Sequence, residues 1–175
     1  MKSNIALIGF MGVGKTEVGN RLAKKLRKRF VELDALIAER AGKQVSQIFA
    51  EDGEIFFREL EIQMTKEIAL GKNQVIACGG GIVLNMINID RLRRDGVTVL
   101  LTASPGVILR RVAGSEGRPL LNTPDRARRV RELLAFRKPF YERAADIRVN
   151  TSRLGIEQVI EKIIEELKRN ESLHR

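Results

Sequence analysis

Cysteine and histidine occur once each, as Cys78 and His174. A lone cysteine excludes an internal disulfide, and a single histidine in a polar tail leaves neither a Cys/His metal site nor a histidine-based triad. Tryptophan is absent and aromatic residues make up only 5 % of the chain, which weakens any argument for stacking on bases. No apolar run approaches the ~18–20 residues of a membrane span. Repeats, low-complexity segments and Pro/Ser-rich linkers are missing too, so the 175 residues read as one domain, 1–175. The opening MKSNIALIGFMG has one lysine and a short apolar run that leads into a glycine loop rather than a cleavage site. No signal peptide is expected from it, and a soluble, cytoplasmic protein is the default.

What the chain does have is positive charge, +10 from 32 basic and 22 acidic residues. Such charge can attract a polyanion, or it can be divided between a solvated surface and a site for small anions. The scarcity of aromatics favours the second use, and no nucleic-acid partner is expected.

Short apolar runs alternate with longer periodic segments. Residues 4–9 (NIALIG), 29–33 (RFVEL), 74–78 (QVIAC), 97–103 (VTVLLTA) and 146–150 (DIRVN) predict strands. Residues 17–29, 54–70, PGVILRRV, about 125–144 and 156–169 predict helices, and ALIAERAG and SQIFAEDG predict short ones that each stop at a glycine. Residues 113–124 (AGSEGRPLLNTP) are polar and loop-like. Five nearly continuous apolar strands separated by helices predict an α/β fold, a parallel sheet covered on both faces. Ligands in such sheets bind at the carboxyl ends of the strands.

Two glycine-rich segments follow predicted strands. GFMGVGKT, residues 9–16, fits the phosphate-binding pattern G-x-x-x-x-G-K-[ST] and lies between a strand and a helix, the context the pattern requires. Gly9, Gly12 and Gly14 allow turns in which the N–H groups face phosphate oxygens, and the helix that follows adds its positive end. Lys15 can reach the β- and γ-phosphates, and Thr16 can offer a hydroxyl to Mg²⁺. No N-K-x-D guanine motif occurs, and the strand at 74–78 ends in Cys78-Gly79 rather than an acidic residue, which leaves a compact kinase as the best class. The second segment, Gly79-Gly80-Gly81, offers a floor without side chains on which a small polar acceptor could lie, or else it is simply a tight turn. Asp34 follows the second strand. Arg58 and Glu61 are three apart on a helix, as a ligand-facing set or as a surface ion pair. Arg137 lies in AFRKPFYERA. Two arginines and an aspartate suit a hydroxylated carboxylic acid, since arginine forks bind carboxylates bidentately. A gluconate kinase, or a nucleotide-binding module without catalysis, remains an alternative on these residues.

Taken together, GFMGVGKT, the acidic pair ending at Asp34, IFAEDGEIFFRELE, GGG, RPLL and RKPFY resemble the shikimate kinases over nearly the whole length. The resemblance implies a three-layer P-loop fold with a central five-stranded parallel sheet and a mobile lid at about 113–124. It implies transfer of the ATP γ-phosphate to the 3-hydroxyl of shikimate, with Mg²⁺, in a monomer with a substrate-binding helical region at about 34–62. Gly12, Val13, Gly14, Lys15, Thr16 and Glu17 would bind ATP, Arg111 would stack on adenine, and Arg153 would lie in the adenine-side loop. Arg118 would swing over the phosphates and act with Lys15. Asp34 would bond shikimate hydroxyls, as an orienting group with some base character. Arg58 and Arg137 would hold the carboxylate over Gly79, Gly80 and Gly81, in a pocket shaped by Phe49, Phe57 and Glu61. One position departs from the family's Asp-x-Asp: here it is Glu32-Leu33-Asp34. Glu32 would order Mg²⁺ through water with one more methylene, which predicts retained activity with altered metal dependence.

Overall fold

All five apolar runs become strands of one parallel sheet in the computed structural model, which describes residues 2–113 and 123–173. The strands are β1 (Asn4–Ile8), β2 (Arg29–Glu32), β3 (Gln74–Ala77), β4 (Gly96–Thr102) and β5 (Ile147–Asn150), in the order β2-β3-β1-β4-β5. β1 is central, with Ile5 in register with Val75 on one side and Val97 on the other. Every residue of β1 and β3 is buried, as strands covered on both faces must be. β5, at one edge, alternates instead: Ile147 and Val149 are buried and Arg148 and Asn150 exposed.

The helices are α1 (Lys15–Leu26), α2 (Leu33–Ala41), the single turn α3 (Val45–Gln47), α4 (Gly53–Ile68), α5 (Met86–Arg94), α6 (Pro105–Val112), α7 (Arg126–Ala144) and α8 (Ile156–Leu173). α1 buries Val18, Leu22 and Ala23 and ends before its predicted limit because Arg27 takes a left-handed conformation (φ 53°), with the Arg27 N–H donating to the Lys24 carbonyl and the Lys28 N–H to the Ala23 carbonyl. That turn delivers the chain to β2 within two residues. Gly42 (φ 65°) closes α2 in the same way, as its sequence predicts. SQIFAEDG differs from expectation: α3 leads into a wide π-helical turn, Ile48–Asp52, that runs into α4 at Gly53. β2 is a residue shorter than predicted, since Leu33 already begins α2. α5 has no counterpart in the sequence pattern; its buried apolar pair, Ile89 and Leu92, makes too brief a repeat to stand out.

Leu7, Leu22, Val75, Val99, Leu101, Ile108 and Ile160 are fully enclosed. Each such side chain contributes roughly 1.5–3 kcal/mol of transfer free energy. With β1 central, β3 and β4 on its two sides begin their following loops beside the loop that follows β1. The carboxyl ends of β1 and β3 thus share one rim.

Candidate functional site

That rim opens into a cleft of about 460 Å³ lined by both glycine segments. On the β1 side, Phe10 and Val13 are buried and anchor the loop, while Gly12 (φ 78°) and Gly14 (φ 100°) turn it through conformations that side-chain-bearing residues rarely adopt. Lys15, the first residue of α1, curls back so that Nζ donates to the carbonyls of Gly9 (2.8 Å) and Phe10 (2.9 Å). The Thr16 hydroxyl donates to Glu32 Oε1 at 2.6 Å, which joins the helix start to the end of β2. Glu17 lines the cleft and pairs with Arg21 at 2.7 Å. Arg111 braces the loop from α6. Its guanidinium donates to the carbonyls of Gly12 and Val13 (3.4 and 3.3 Å) and to the hydroxyl and carbonyl of Thr151 (both 3.1 Å). This array of amides, one ammonium and a helix N-terminus can hold a polyphosphate.

On the β3 side the glycines make room for charged side chains of other elements. A methyl at Gly79 would sit 2.7 Å from Asp34 Oδ1 and 3.2 Å from Glu61 Oε1. At Gly80 it would lie 3.5 Å from Arg137 Nη1, and at Gly81 it would overlap the Arg58 guanidinium. Asp34 comes from the first turn of α2, Arg58 and Glu61 from α4, and Arg137 from α7. Phe57 is buried and packs on Phe49, centroids 4.7 Å apart, with the Arg58 guanidinium 5.1 Å from the Phe57 ring.

Arg58 and Glu61 are not a surface pair. Arg58 Nη1 lies 3.0 Å from both Glu61 carboxylate oxygens, and the Glu61 side chain is 0 % exposed. Burial pushes the Glu61 carboxyl up to about 7, against the lowering effect of Arg58 and with help from the nearby Asp34 charge. Arg137 is 2 % exposed, and its buried Nε has no hydrogen-bond partner among the described residues. A buried guanidinium with an unused donor, in the wall of a cleft, is suited to an anion. Cys78 also lines the cleft, but burial pushes its thiol far up, so it is inert.

The cleft therefore gathers Gly12, Gly14, Lys15, Thr16, Glu17, Glu32, Asp34, Phe49, Phe57, Arg58, Glu61, Gly79, Gly80, Gly81, Arg111 and Arg137. Val13 lies behind it, its side chain in the core. Arg153 is exposed between β5 and α8 and does not line the cleft. Arg118, with most of the predicted lid, lies outside the described residues. Two residues escaped the sequence reading: Thr151, whose buried hydroxyl faces the carbonyls of Val13 and Thr102, and Tyr141, whose hydroxyl donates to the Gly80 carbonyl. Tyr141 was within reach, being one helical turn beyond Arg137. Thr151 had no local signal.

A family profile described as shikimate kinase matches residues 11–168. A shikimate kinase of Thermodesulfovibrio yellowstonii is 48 % identical over 95 % of this chain and 95 % of its own. One from Caldanaerobacter subterraneus is 47 % identical over 92 % and 94 %. Among solved structures, the shikimate kinase of Acinetobacter baumannii in complex with shikimate superposes with a TM-score of 0.92 at 32 % identity, covering 96 % of this chain and 94 % of its own.

Proposed function

The chain belongs to the shikimate kinase family, and from that premise we propose that it transfers the γ-phosphate of ATP to the 3-hydroxyl of shikimate, giving shikimate 3-phosphate and ADP on the route to chorismate and the aromatic amino acids. The observation that carries the residue-level reading is that both glycine segments border a single cleft, one beside Lys15 and the α1 N-terminus, the other beside Arg58 and Arg137.

The amides of Gly12–Thr16, including Val13, and the start of α1 near Glu17 receive the phosphates. Lys15 exchanges its two carbonyl partners for phosphate oxygens. Arg111 and Arg153 border the adenine, and Arg118 closes over the transferring group with Lys15. Arg58 and Arg137 grip the shikimate carboxylate above Gly79–Gly81, with Phe49, Phe57 and Glu61 as the wall. Asp34 orients the reacting hydroxyl and takes up its proton as the new P–O bond forms. Because phosphoryl transfer is loose, most of the rate comes from this alignment and from positive charge on the phosphoryl oxygens. The facing Thr16 hydroxyl and Glu32 carboxylate are hard oxygen donors of the kind Mg²⁺ takes, and these two residues would hold the ion. When bound, the ion supplies charge neutralisation on the β- and γ-phosphates. The working form is a cytoplasmic monomer with one domain; no helix among the described residues is long and apolar enough to cross a membrane.

ADP release from ATP, measured with no acceptor and with shikimate, gluconate or a nucleoside monophosphate, tests the reading. Strong stimulation by shikimate alone is expected. Stimulation by gluconate instead, or by none of the three, would overturn it.

A further inference from the structure

The one tyrosine of the chain has no part in the reaction as set out above. Tyr141 is 5 % exposed and sits on α7 four residues after Arg137, so the two side chains leave the same face of the helix. Its hydroxyl donates to the carbonyl of Gly80. Burial pushes that hydroxyl up to about 12, opposed by the charge and hydrogen bond of the Arg137 guanidinium beside it. The group is a protonated donor throughout the working range, and a phenol can give its proton to one partner while accepting from another. The Tyr141 hydroxyl thus joins Gly80 to the Arg137 guanidinium, whose Nη1 would lie at contact distance, 3.5 Å, from a Gly80 methyl.

Peptide geometry extends the consequence. The Gly80–Gly81 peptide is trans, so the Gly80 carbonyl and the Gly81 N–H point in opposite directions. Fixing the carbonyl toward α7 aims the Gly81 N–H away from α7. Three successive glycines have wide conformational freedom, and without an outside restraint that peptide plane could rotate. Tyr141 itself does not line the cleft.

We propose that Tyr141 is a positioning residue for the acceptor: its hydroxyl fixes both the Gly80–Gly81 peptide plane and the Arg137 guanidinium, and so sets acceptor affinity without touching the acceptor. This rests on the reading that the acceptor carboxylate lies at Arg137 above the glycine segment. Tyr141→Phe keeps the ring and removes only the hydroxyl. The KM for shikimate should rise roughly tenfold, the effect of losing one buried hydrogen bond and stranding its partners. The KM for ATP and kcat should stay within about twofold, because the phosphate loop does not depend on this contact. Arg137→Lys, measured alongside, should raise the shikimate KM as well. The double variant should cost less than the product of the two, since both act through one guanidinium. If Arg137→Lys raises the shikimate KM and Tyr141→Phe does not, the positioning role is overturned while the acceptor site stands. If Arg137→Lys leaves it unchanged, the underlying site fails and the proposal with it. Equal rises in both KM values with a fall in Tm would assign the hydroxyl to folding alone and overturn the proposal.

Discussion

The two glycine segments end neighbouring strands and face one cleft, yet only the first needs glycine for its backbone conformation. In the loop after β1, Gly12 and Gly14 have positive φ, and the segment works by turning its own amides inward. A methyl at Gly14 would meet nothing closer than 3.9 Å, so space is not what that position lacks, whereas at Gly12 it would also come within 2.8 Å of the Val112 side chain. After β3, none of Gly79, Gly80 and Gly81 has positive φ. Their value is proximity: a side chain at Gly79 or Gly81 would collide with Asp34 or the Arg58 guanidinium, with Glu61 crowded as well, and at Gly80 it would be in contact with Arg137 Nη1. The donor half is therefore built largely from backbone, and the acceptor half from buried and half-buried charges of three helices held over a bare strip. A motif rule finds the first kind of loop because its geometry is local. The second kind is defined by what other elements bring to it.

The division can be broken from either side. The largest effect is expected at Arg118, proposed to act on the transferring phosphoryl group: Arg118→Ala should lower kcat by roughly 10³-fold or more with the shikimate KM nearly unchanged. A loss of only a few-fold in steady-state turnover would remove Arg118 from the mechanism. Next comes Arg58, in the acceptor half. Arg58→Ala removes a charge-assisted bond of about 1.5–3 kcal/mol, so the shikimate KM should rise roughly 10- to 150-fold and the ATP KM little. The sharpest comparison uses one substitution at two sites. Gly14→Ala forces a residue with a Cβ into φ 100° and should raise the ATP KM about tenfold. Gly81→Ala displaces the Arg58 guanidinium and should raise the shikimate KM by a similar factor. If both variants weakened the same substrate, the two halves would not be separate.

Much of this was legible in sequence, and unevenly so. The central strands β1, β3 and β4 stand out because both their faces are covered, which makes each a nearly unbroken apolar run, while the edge strands β2 and β5 carry exposed charged or polar residues and are legible mainly from their place between helices. The phosphate loop was legible because eight consecutive residues carry its whole geometry. Arg58, Asp34 and Arg137 were named from their chemistry, but their meeting around Gly79–Gly81 depends on three helices that no local pattern aligns. The Arg58–Glu61 spacing could not tell a solvated pair from an enclosed one, because spacing encodes a shared face and not what covers it. Thr151 was invisible for a related reason: it sits 138 residues from the Val13 carbonyl it faces. α5 does not stand out because its nine residues bury only two apolar side chains, Ile89 and Leu92, too few for a clear period.

The smallest predicted effect concerns that enclosed carboxylate. Glu61 has its carboxyl raised from 4.5 to about 7, chiefly by burial. Between those values the folded chain holds a proton that the unfolded chain has released. Proton uptake then favours the fold, so the stabilising contribution of this group is fully present below about 4.5 and is lost as the pH rises through about 7. Glu61→Gln removes the titration and should flatten the fall in stability across that interval, by an amount of order 1–3 kcal/mol. Urea unfolding of both proteins at several pH values from 4.5 to 7.5 measures it, with the slope against pH as the readout rather than the absolute stability, which the loss of the Arg58 partner will itself lower. Parallel slopes would mean that Arg58 keeps Glu61 ionised throughout. The acceptor half would then be a permanently charged cage, as insensitive to proton concentration as the backbone-built donor half beside it.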